Sequence, residues 1–348
     1  MTAAGLPVKQ QKSAEAAGRE IHMPQIDLIT GFLGSGKTTF IKKYARFLID
    51  QGLTVGILEN DYGAINIDMV LLEDLMGDNC DVEMIVGGDG IISHRRRFAT
   101  KLISMAMMGF DRIIVEPSGI YDTDEFFDAM SEDPLCKWYT PGSLVAIVDA
   151  GMEDELSEES EYLLVSQTAN AGKIVLSHCQ DLEGTETPEE TTDRILKHLN
   201  RALDKYQCDR RLDAQDILAK DWDSLTREDF ASIAVGGLIP ADHVKIPVEH
   251  ENGYGTLFYF GTRMDEEKLR RCIAKTLGNP ACGNVMRIKG FVRTGDDSRV
   301  QINATRRETK IEPTVFAREV LIVTGEDLHR DCIDAIWAED SEIITPGA

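Results

Sequence analysis

Gly31-Phe-Leu-Gly-Ser-Gly36-Lys37-Thr38 fits the pattern G-x-x-x-x-G-K-[ST]. The short apolar run Gln25-Ile-Asp-Leu-Ile-Thr30 leads into it. Thr39-Phe-Ile-Lys-Lys-Tyr-Ala-Arg-Phe-Leu48 leads out, with Phe40, Ile41, Tyr44, Phe47 and Leu48 on one helical face. A glycine-rich loop between a strand and a helix lets backbone N–H groups curl around a phosphate, and the helix N-terminus adds the positive end of its dipole. Lys37 has the reach to meet β- and γ-phosphates, and the Thr38 hydroxyl supplies an oxygen to Mg²⁺. The residues expected to hold a nucleotide here are Gly31, Gly34, Ser35, Gly36, Lys37, Thr38 and Thr39. The bland alternative is a turn that matches by chance; the flanking strand and helix weigh against it.

Thr54-Val-Gly-Ile-Leu-Glu59, Asp111-Arg-Ile-Ile-Val-Glu116, Ser143-Leu-Val-Ala-Ile-Val-Asp149 and Lys173-Ile-Val-Leu-Ser177 read as strands. Helical stretches lie between them, such as 97–109 with Phe98, Leu102, Met105 and Ala106 on one stripe. Near-continuous apolar strands alternating with amphipathic helices predict an α/β fold, a mostly parallel sheet covered by helices on both faces. The pattern lapses after about residue 200, through a polar stretch containing Trp222 and the pair Gly236-Gly237. From Gly255 a strand (255–262), a helix (265–277), strands (284–293, 298–303 and 318–324) and a helix (326–337) predict a smaller α+β domain. The expected organisation is a disordered leader over 1–23, a nucleotide-binding domain over 24–200, an irregular connector over 201–249, the second domain over 250–338 and a tail over 339–348.

The formal net charge of the 348-residue chain is −23, from 60 acidic and 37 basic residues. Such a field repels nucleic acid and anionic membrane surfaces and favours cations or basic partners. The seven cysteines are odd in number, scattered and without a C-x-x-C pair, which reads as reduced thiols. Residues 1–23 hold no apolar run long enough for a signal peptide or membrane span, so a cytoplasmic protein is expected.

Three further segments turn the loop into a family resemblance. Ile57-Leu-Glu-Asn60-Asp61-Tyr62-Gly63, with Asp68 beyond it, resembles the E-N-[ED]-[FY]-G…D segment of the CobW-like GTPases. Glu116-Pro-Ser-Gly119 resembles their E-[PT]-[ST]-G, and Val285-Met-Arg-Ile-Lys-Gly-Phe291 resembles the R-x-K-G-F signature of the CobW C-terminal domain. The resemblance covers about residues 25 to 337 and implies a P-loop NTPase domain followed by a CobW-type domain. It implies an NTPase whose nucleotide state governs delivery of a metal or metallocofactor to a client metalloenzyme. By motif position, Lys37, Glu116 and Asp61 form the catalytic set. Mg²⁺ falls to Thr38, Asp61 and, directly or through water, Glu116. Asn60 lies near the γ-phosphate, and the Gly119 N–H is placed to sense it. Hydrolysis is expected to be slow alone and faster with a client.

Two departures qualify that resemblance. Members with a metal role carry C-x-C-C after the third strand; here the stretch is Val86-Gly-Gly-Asp89-Gly-Ile-Ile-Ser93, with no thiolate to hold Zn²⁺ or another transition metal. Cys80 and His94 flank it, and His243, Glu249 and His250 cluster elsewhere; each set reads more readily as ordinary thiols and solvated histidines than as ligands. The second departure is base recognition. Where GTPases carry N-K-x-D, this chain has Ser177-His178-Cys179-Gln180-Asp181. The Gln180 amide cannot accept from both guanine donors, although a one-residue slip brings Asp181 into that role. GTP is expected by resemblance, with ATP left open. His94-Arg95-Arg96-Arg97 opens a helix as a candidate contact to phosphate or to an acidic partner, against the commoner solvated face. The readings that remain are a metal or metallocofactor chaperone, a regulatory switch binding a protein partner without metal cargo and, last, a small-molecule kinase. A homodimer is left open.

Overall fold

The computed structural model describes residues 23–61, 69–86, 91–182, 184–245, 254–294, 298–315, 319–338 and 341–343. Residues 1–22, 87–90 and most of the tail lie outside them. The first sheet holds strands β1 (Gln25–Gly31), β2 (Val55–Asp61), β3 (Cys80–Val86), β4 (Arg112–Pro117), β5 (Thr140–Asp149), β6 (Lys173–Ser177) and β7 (Ile217–Leu218). Their spatial order is β3-β2-β4-β1-β5-β6-β7, and every pairing is parallel.

Helices α1 (Lys37–Asp50), α2 (Ile91–Met108), α3 (Thr123–Ser131), α4 (Glu158–Ala169), α5 (Pro188–Lys205) and α6 (Arg227–Ala234) cover both faces of that sheet. Because consecutive strand residues point to opposite faces, Ile113 and Val115 pack with Phe98, Leu102 and Phe126, while Ile114 packs with Phe40, Tyr44 and Phe230. The expected α/β architecture holds. Burying both faces explains why these strands read as unbroken apolar runs.

Tyr254–Phe260 (β8) opens the second unit. It continues through α7 (Glu266–Gly278), β9 (Asn284–Thr294), β10 (Ser298–Ala304), β11 (Thr309–Thr314), β12 (Val320–Glu326), α8 (Arg330–Trp337) and β13 (Glu342–Ile343). Its sheet runs β11-β10-β9-β12-β8-β13, all antiparallel, with α7 and α8 against the face that carries Val285, Ile288, Val292, Leu321 and Val323.

Three expectations need correction. The stretch read as an irregular connector carries β7, which pairs with β6, and α6, whose Phe230 and Ile233 belong to the core. A two-residue strand is too short to show a period. Glu342–Ile343, set aside as tail, pair with β8. Finally, Cys282 and Cys332 are joined in a disulfide, with Cα atoms 5.1 Å apart across 50 residues of sequence. The other five cysteines are free thiols. Only the packing of α8 beside the Pro280–Cys282 turn brings the pair together, and no spacing rule announces it.

Candidate functional site

All the long parallel strands end at one edge of the sheet, and the candidate site lies there, where doubly wound folds bind ligands. The loop after β1 turns into α1 through Gly36, which has φ of 92°. A Cβ there would sit 2.9 Å from the Trp222 ring, so the position is closed to a side chain twice over. Lys37, 6% exposed, folds back so that Nζ donates to the Gly31 carbonyl at 2.8 Å and to that of Phe32 at 3.4 Å. From the first turn of α1, Thr38 Oγ1 donates to Glu116 Oε1 at 2.8 Å, joining the loop to the end of β4. Glu59 and Asn60, at the end of β2, are buried beside them.

Phe32 and Leu33 explain why this loop is apolar at positions the motif leaves free. They pack with Ile120 and Leu163 of the first unit and with Tyr254 and Met286 of the second. The loop is therefore clamped between the two units. Tyr254, Ser157, Ser160 and Asn284 converge on the buried Glu326: Ser157 donates at 2.5 Å, Ser160 at 2.6 Å and Asn284 at 2.8 Å. Burial pushes the Glu326 carboxyl up, but hydrogen bonds from Ser157, Ser160, Asn284 and Tyr254 outweigh it and leave its pKa lowered. Arg307, between β10 and β11, meets Asp149 Oδ1 at 2.6 Å and also holds the Gly151 carbonyl.

Two clefts open on this edge. The larger, about 370 Å³, is lined by Gly34, Ser35, Gly36, Thr39, Asp149, His178 and, from the second unit, Thr305 to Glu308. The smaller, about 50 Å³, is lined by Lys37, Glu59, Asn60, Glu116, Ser118 and Gly119, and by Arg287 and Lys289 of β9. A nucleotide with a divalent cation fits these residues. The glycine turn leaves room that a Cβ would fill. Ser35 Oγ and Asn60 Oδ1 are buried with no hydrogen-bond partner among the described residues. The donor set around Glu116 is all oxygen, as Mg²⁺ prefers.

The structure thus gathers Gly31, Gly34, Ser35, Gly36, Lys37, Thr38, Thr39, Asn60, Glu116 and Gly119 at one edge. Asp61 ends β2, paired with Val86, and its side chain lies outside the described residues, as do Tyr62, Gly63 and Asp68. Of the base-reading candidates only His178 lines a cleft, with φ of 58° and Nδ1 3.3 Å from Asp181 Oδ2. Ser177 is buried, its hydroxyl 3.5 Å from the Val148 carbonyl, while Gln180 and Asp181 are exposed and line neither cleft.

The arginine run is likewise not at the site. Arg95 pairs with Glu132 at 2.8 Å, and Arg96 and Arg97 are exposed. Among the described residues, no group of three or more His, Cys, Asp or Glu could hold a metal ion. Cys80 is buried, and burial first, then Asp81, pushes its thiol up to about 11. His243 is buried against the Tyr162 ring at 5.9 Å; Glu249 and His250 lie outside the described residues.

Sequence reasoning missed Trp222, Arg307, Arg287 and Lys289. Trp222 Nε1 donates to the Leu176 carbonyl at 2.8 Å and the ring meets Phe40 edge-on, fixing it over the loop from a stretch without readable periodicity. Arg287 and Lys289 stand in the quoted Val285–Phe291 segment, which located the second unit but assigned these side chains no role.

Among the described residues, no helix is long and apolar enough to cross a membrane. The family model described as CobW/HypB/UreG, nucleotide-binding domain, matches residues 25–206. The zinc chaperone YjiA of Escherichia coli (strain K12) is 27% identical over 179 residues, 49% of this chain and 54% of that protein. The zinc-regulated GTPase metalloprotein activator 1 of Dictyostelium discoideum is 25% identical over 304 residues, 76% of this chain and 62% of that protein. In both, the match spans less than two thirds of the relative's length. The crystal structure of Zn(II)-bound YjiA GTPase from E. coli aligns with 92% of this chain and 99% of that one, at 17% identity and a TM-score of 0.34. With more than half of its residues matched by the family model, the chain belongs to the CobW/HypB/UreG nucleotide-binding family.

Proposed function

We propose that this protein binds and hydrolyses GTP with Mg²⁺ and uses the nucleotide state to gate insertion of a metal or metallocofactor into a client metalloenzyme. The observation that carries the nucleotide part is the loop geometry: Lys37 turned inward onto the Gly31 carbonyl, beside the Thr38–Glu116 hydrogen bond. In this reading the backbone N–H groups of Gly34 to Thr38 cradle phosphate and Lys37 exchanges its carbonyl partner for phosphate oxygens. Thr38, Glu116 and Asp61 hold the cation, which when bound neutralises charge on the phosphate oxygens. Glu116 also orients the attacking water, and Gly119 presents its N–H to the γ-phosphate. His178 packs against the base, and the exposed positions of Gln180 and Asp181 leave ATP as an alternative nucleotide.

The delivery part draws its support from the relatives, described as zinc chaperones and a GTPase metalloprotein activator. A second reading, a nucleotide switch that binds a protein partner without metal cargo, is favoured by the stretch Val86 to Ser93, which carries no cysteine. In either reading the protein acts in the cytoplasm, hydrolyses slowly alone and meets a client or a second copy of itself. Calorimetric titration of stripped protein with Zn²⁺, Co²⁺ and Ni²⁺, in the presence of Mg²⁺ with a non-hydrolysable GTP analogue and again with GDP, separates the two. Tight binding that differs between nucleotide states supports delivery. Binding no stronger than an acidic surface gives in both states leaves the switch, and failure of either nucleotide to bind overturns both readings.

A further inference from the structure

The turn between β10 and β11 is tightly built. Beyond the last ladder pair, Ala304 with Thr309, the Thr305 N–H donates to the Glu308 carbonyl at 2.8 Å. Thr305 Oγ1 accepts from the Arg307 and Glu308 N–H groups, each at 3.3 Å. Arg306 and Arg307 stand at the tip and part company. Arg306 Nε reaches back to the Leu277 carbonyl near the end of α7, at 3.3 Å, within the turn's own unit. Arg307 crosses to the first unit, where Nη1 donates to Asp149 Oδ1 at 2.6 Å and Nη2 to the Gly151 carbonyl.

What Arg307 meets is itself fixed in place. Asp149 ends β5, the strand beside β1, and its Oδ1 also accepts from the Gly151 N–H at 2.9 Å. Ala150, between them, donates its N–H to the Ser177 carbonyl at 2.9 Å and accepts from Arg194 Nη2 at 2.6 Å. The approach is close, since a Cβ on Gly151 would collide with the Arg307 guanidinium. The same turn lies against the phosphate loop: a Cβ on Gly34 would fall 3.2 Å from Thr305 Cγ2. Residues 305–308 thus meet both the phosphate loop and the end of β5, and they line the larger cleft together with Ser35, Thr39 and His178.

We infer that Arg307 is a positioning residue for the nucleotide: by latching the β10–β11 turn to Asp149 and Gly151, it keeps the second unit over the larger cleft and sets how fast nucleotide exchanges. The inference rests on the nucleotide reading above and places control of exchange outside the nucleotide-binding domain. The Arg307 and Asp149 side chains are 36% and 32% exposed, so their pair is screened by salt and contributes little to overall stability. A contact of that strength suits a latch, because it opens readily and its loss leaves the fold intact. Lids of this kind commonly govern product release. The latch joins protein to protein, so it acts on passage in both directions. Its loss speeds entry and release alike and leaves equilibrium affinity nearly unchanged.

The test uses the full chain with Mg²⁺ and stopped-flow rates of binding and release for fluorescent GDP and a fluorescent non-hydrolysable GTP analogue. The proteins are wild type, R307M, R307K, G151A and the double variant R307M/G151A. R307M keeps a long stem and removes the charge. Entry and release should both rise about two- to fivefold, as for a lost partly exposed ion pair, with Kd within about twofold. R307K should recover part of the slowing. G151A leaves every charge in place and pushes the guanidinium aside, so it should match R307M, and the double variant should be no faster than either. Raising salt should bring wild type toward R307M and leave R307M nearly unmoved. Unchanged rates in R307M and G151A overturn the inference, as do effects that add in the double variant. A fall in affinity with an unfolding midpoint well below that of wild type assigns Arg307 to structure and overturns it too. Wild type that binds neither nucleotide refutes the nucleotide reading itself, an outcome distinct from wild type that binds both at rates Arg307 does not affect.

Discussion

Thr38 Oγ1 and Glu116 Oε1 lie 2.8 Å apart although 78 residues separate them in sequence. Both side chains are more than nine-tenths buried, so the contact ties the first turn of α1 to the end of β4 without competition from water. Glu116 lines the smaller cleft, and a hydroxyl and a carboxylate are the oxygen groups a hard cation prefers.

In the proposed arrangement, Thr38→Ala removes one cation ligand and leaves Lys37 in place. The expected result is a roughly 10- to 100-fold loss of affinity for the GTP analogue in the presence of Mg²⁺, with little change in its absence. Calorimetry with and without EDTA reads this directly. Equal losses under both conditions would contradict the assignment of Thr38 to the cation.

Gly119 gives a steric prediction. A Cβ at this position would fall 2.6 Å from the Leu33 backbone nitrogen and 2.8 Å from its Cα, both on the phosphate loop. The Gly119 carbonyl is meanwhile held by Gln167 Nε2 at 3.1 Å, so the turn cannot simply retreat. Gly119→Ala should therefore push the loop, at about 1–3 kcal/mol of overpacking cost, and weaken both GTP analogue and GDP. Quenching or shift of Trp222 fluorescence, from the ring that sits on Gly36, provides the binding signal. Wild-type affinity and midpoint in this variant would show that the contact relaxes freely.

How much of this was legible beforehand follows from burial. Strands covered on both faces need apolar residues at every position, so β1, β2, β4, β5 and β6 stood out as runs, and the loop motif fixed their common edge. β11 was invisible because Thr309–Thr314 is a polar, largely exposed edge strand, paired among the described residues with β10. The cleft's second wall was invisible for another reason. Arg287 and Lys289 alternate along β9 like any solvated strand face, and only the docking of the two units, through Phe32, Leu33 and Tyr254, turns that face inward. The same docking turned an ordinary-looking Arg307 onto Asp149. Sequence periodicity describes elements singly, and a site built between two of them is a property of their assembly.

Beneath the parallel sheet, Asp27 of β1 is fully buried and accepts from Arg112 Nε at 2.6 Å, Arg112 Nη2 at 2.9 Å, Tyr44 Oη at 2.9 Å and the Ser143 N–H at 2.6 Å. Burial pulls the Arg112 guanidinium down, but the hydrogen bond and charge of Asp27 win and leave it raised. Asp27→Ala leaves that guanidinium buried without its carboxylate, a change that costs about 3–5 kcal/mol. The urea midpoint should fall accordingly. A loss under 1 kcal/mol would mean that Gln25 and the Ala234 carbonyl, the guanidinium's other partners, are sufficient.

Glu326 connects the stability of the interface between the units to pH. Its folded pKa is lowered from the ordinary 4.5: burial acts upward, and the hydrogen bonds from Ser157, Ser160, Asn284 and Tyr254 act downward and prevail. For a group shifted in this direction, the unfolded chain takes up a proton first as pH falls. The stabilisation is therefore fully present above the unfolded value and declines as pH drops through the folded one. Glu326→Gln keeps the shape but cannot carry the charge that these donors favour. At pH 7 the variant should be less stable than wild type, and the gap between their thermal midpoints should close as pH is lowered below about 4. Two of the four donors, Ser157 and Ser160, lie across the interface, so amides around Ser160 should exchange faster in the variant at neutral pH. A gap in midpoints that stays constant from pH 7 into the acid range would mean that Glu326 acts through its shape alone, and the interface would then have no carboxylate-linked pH dependence at this position.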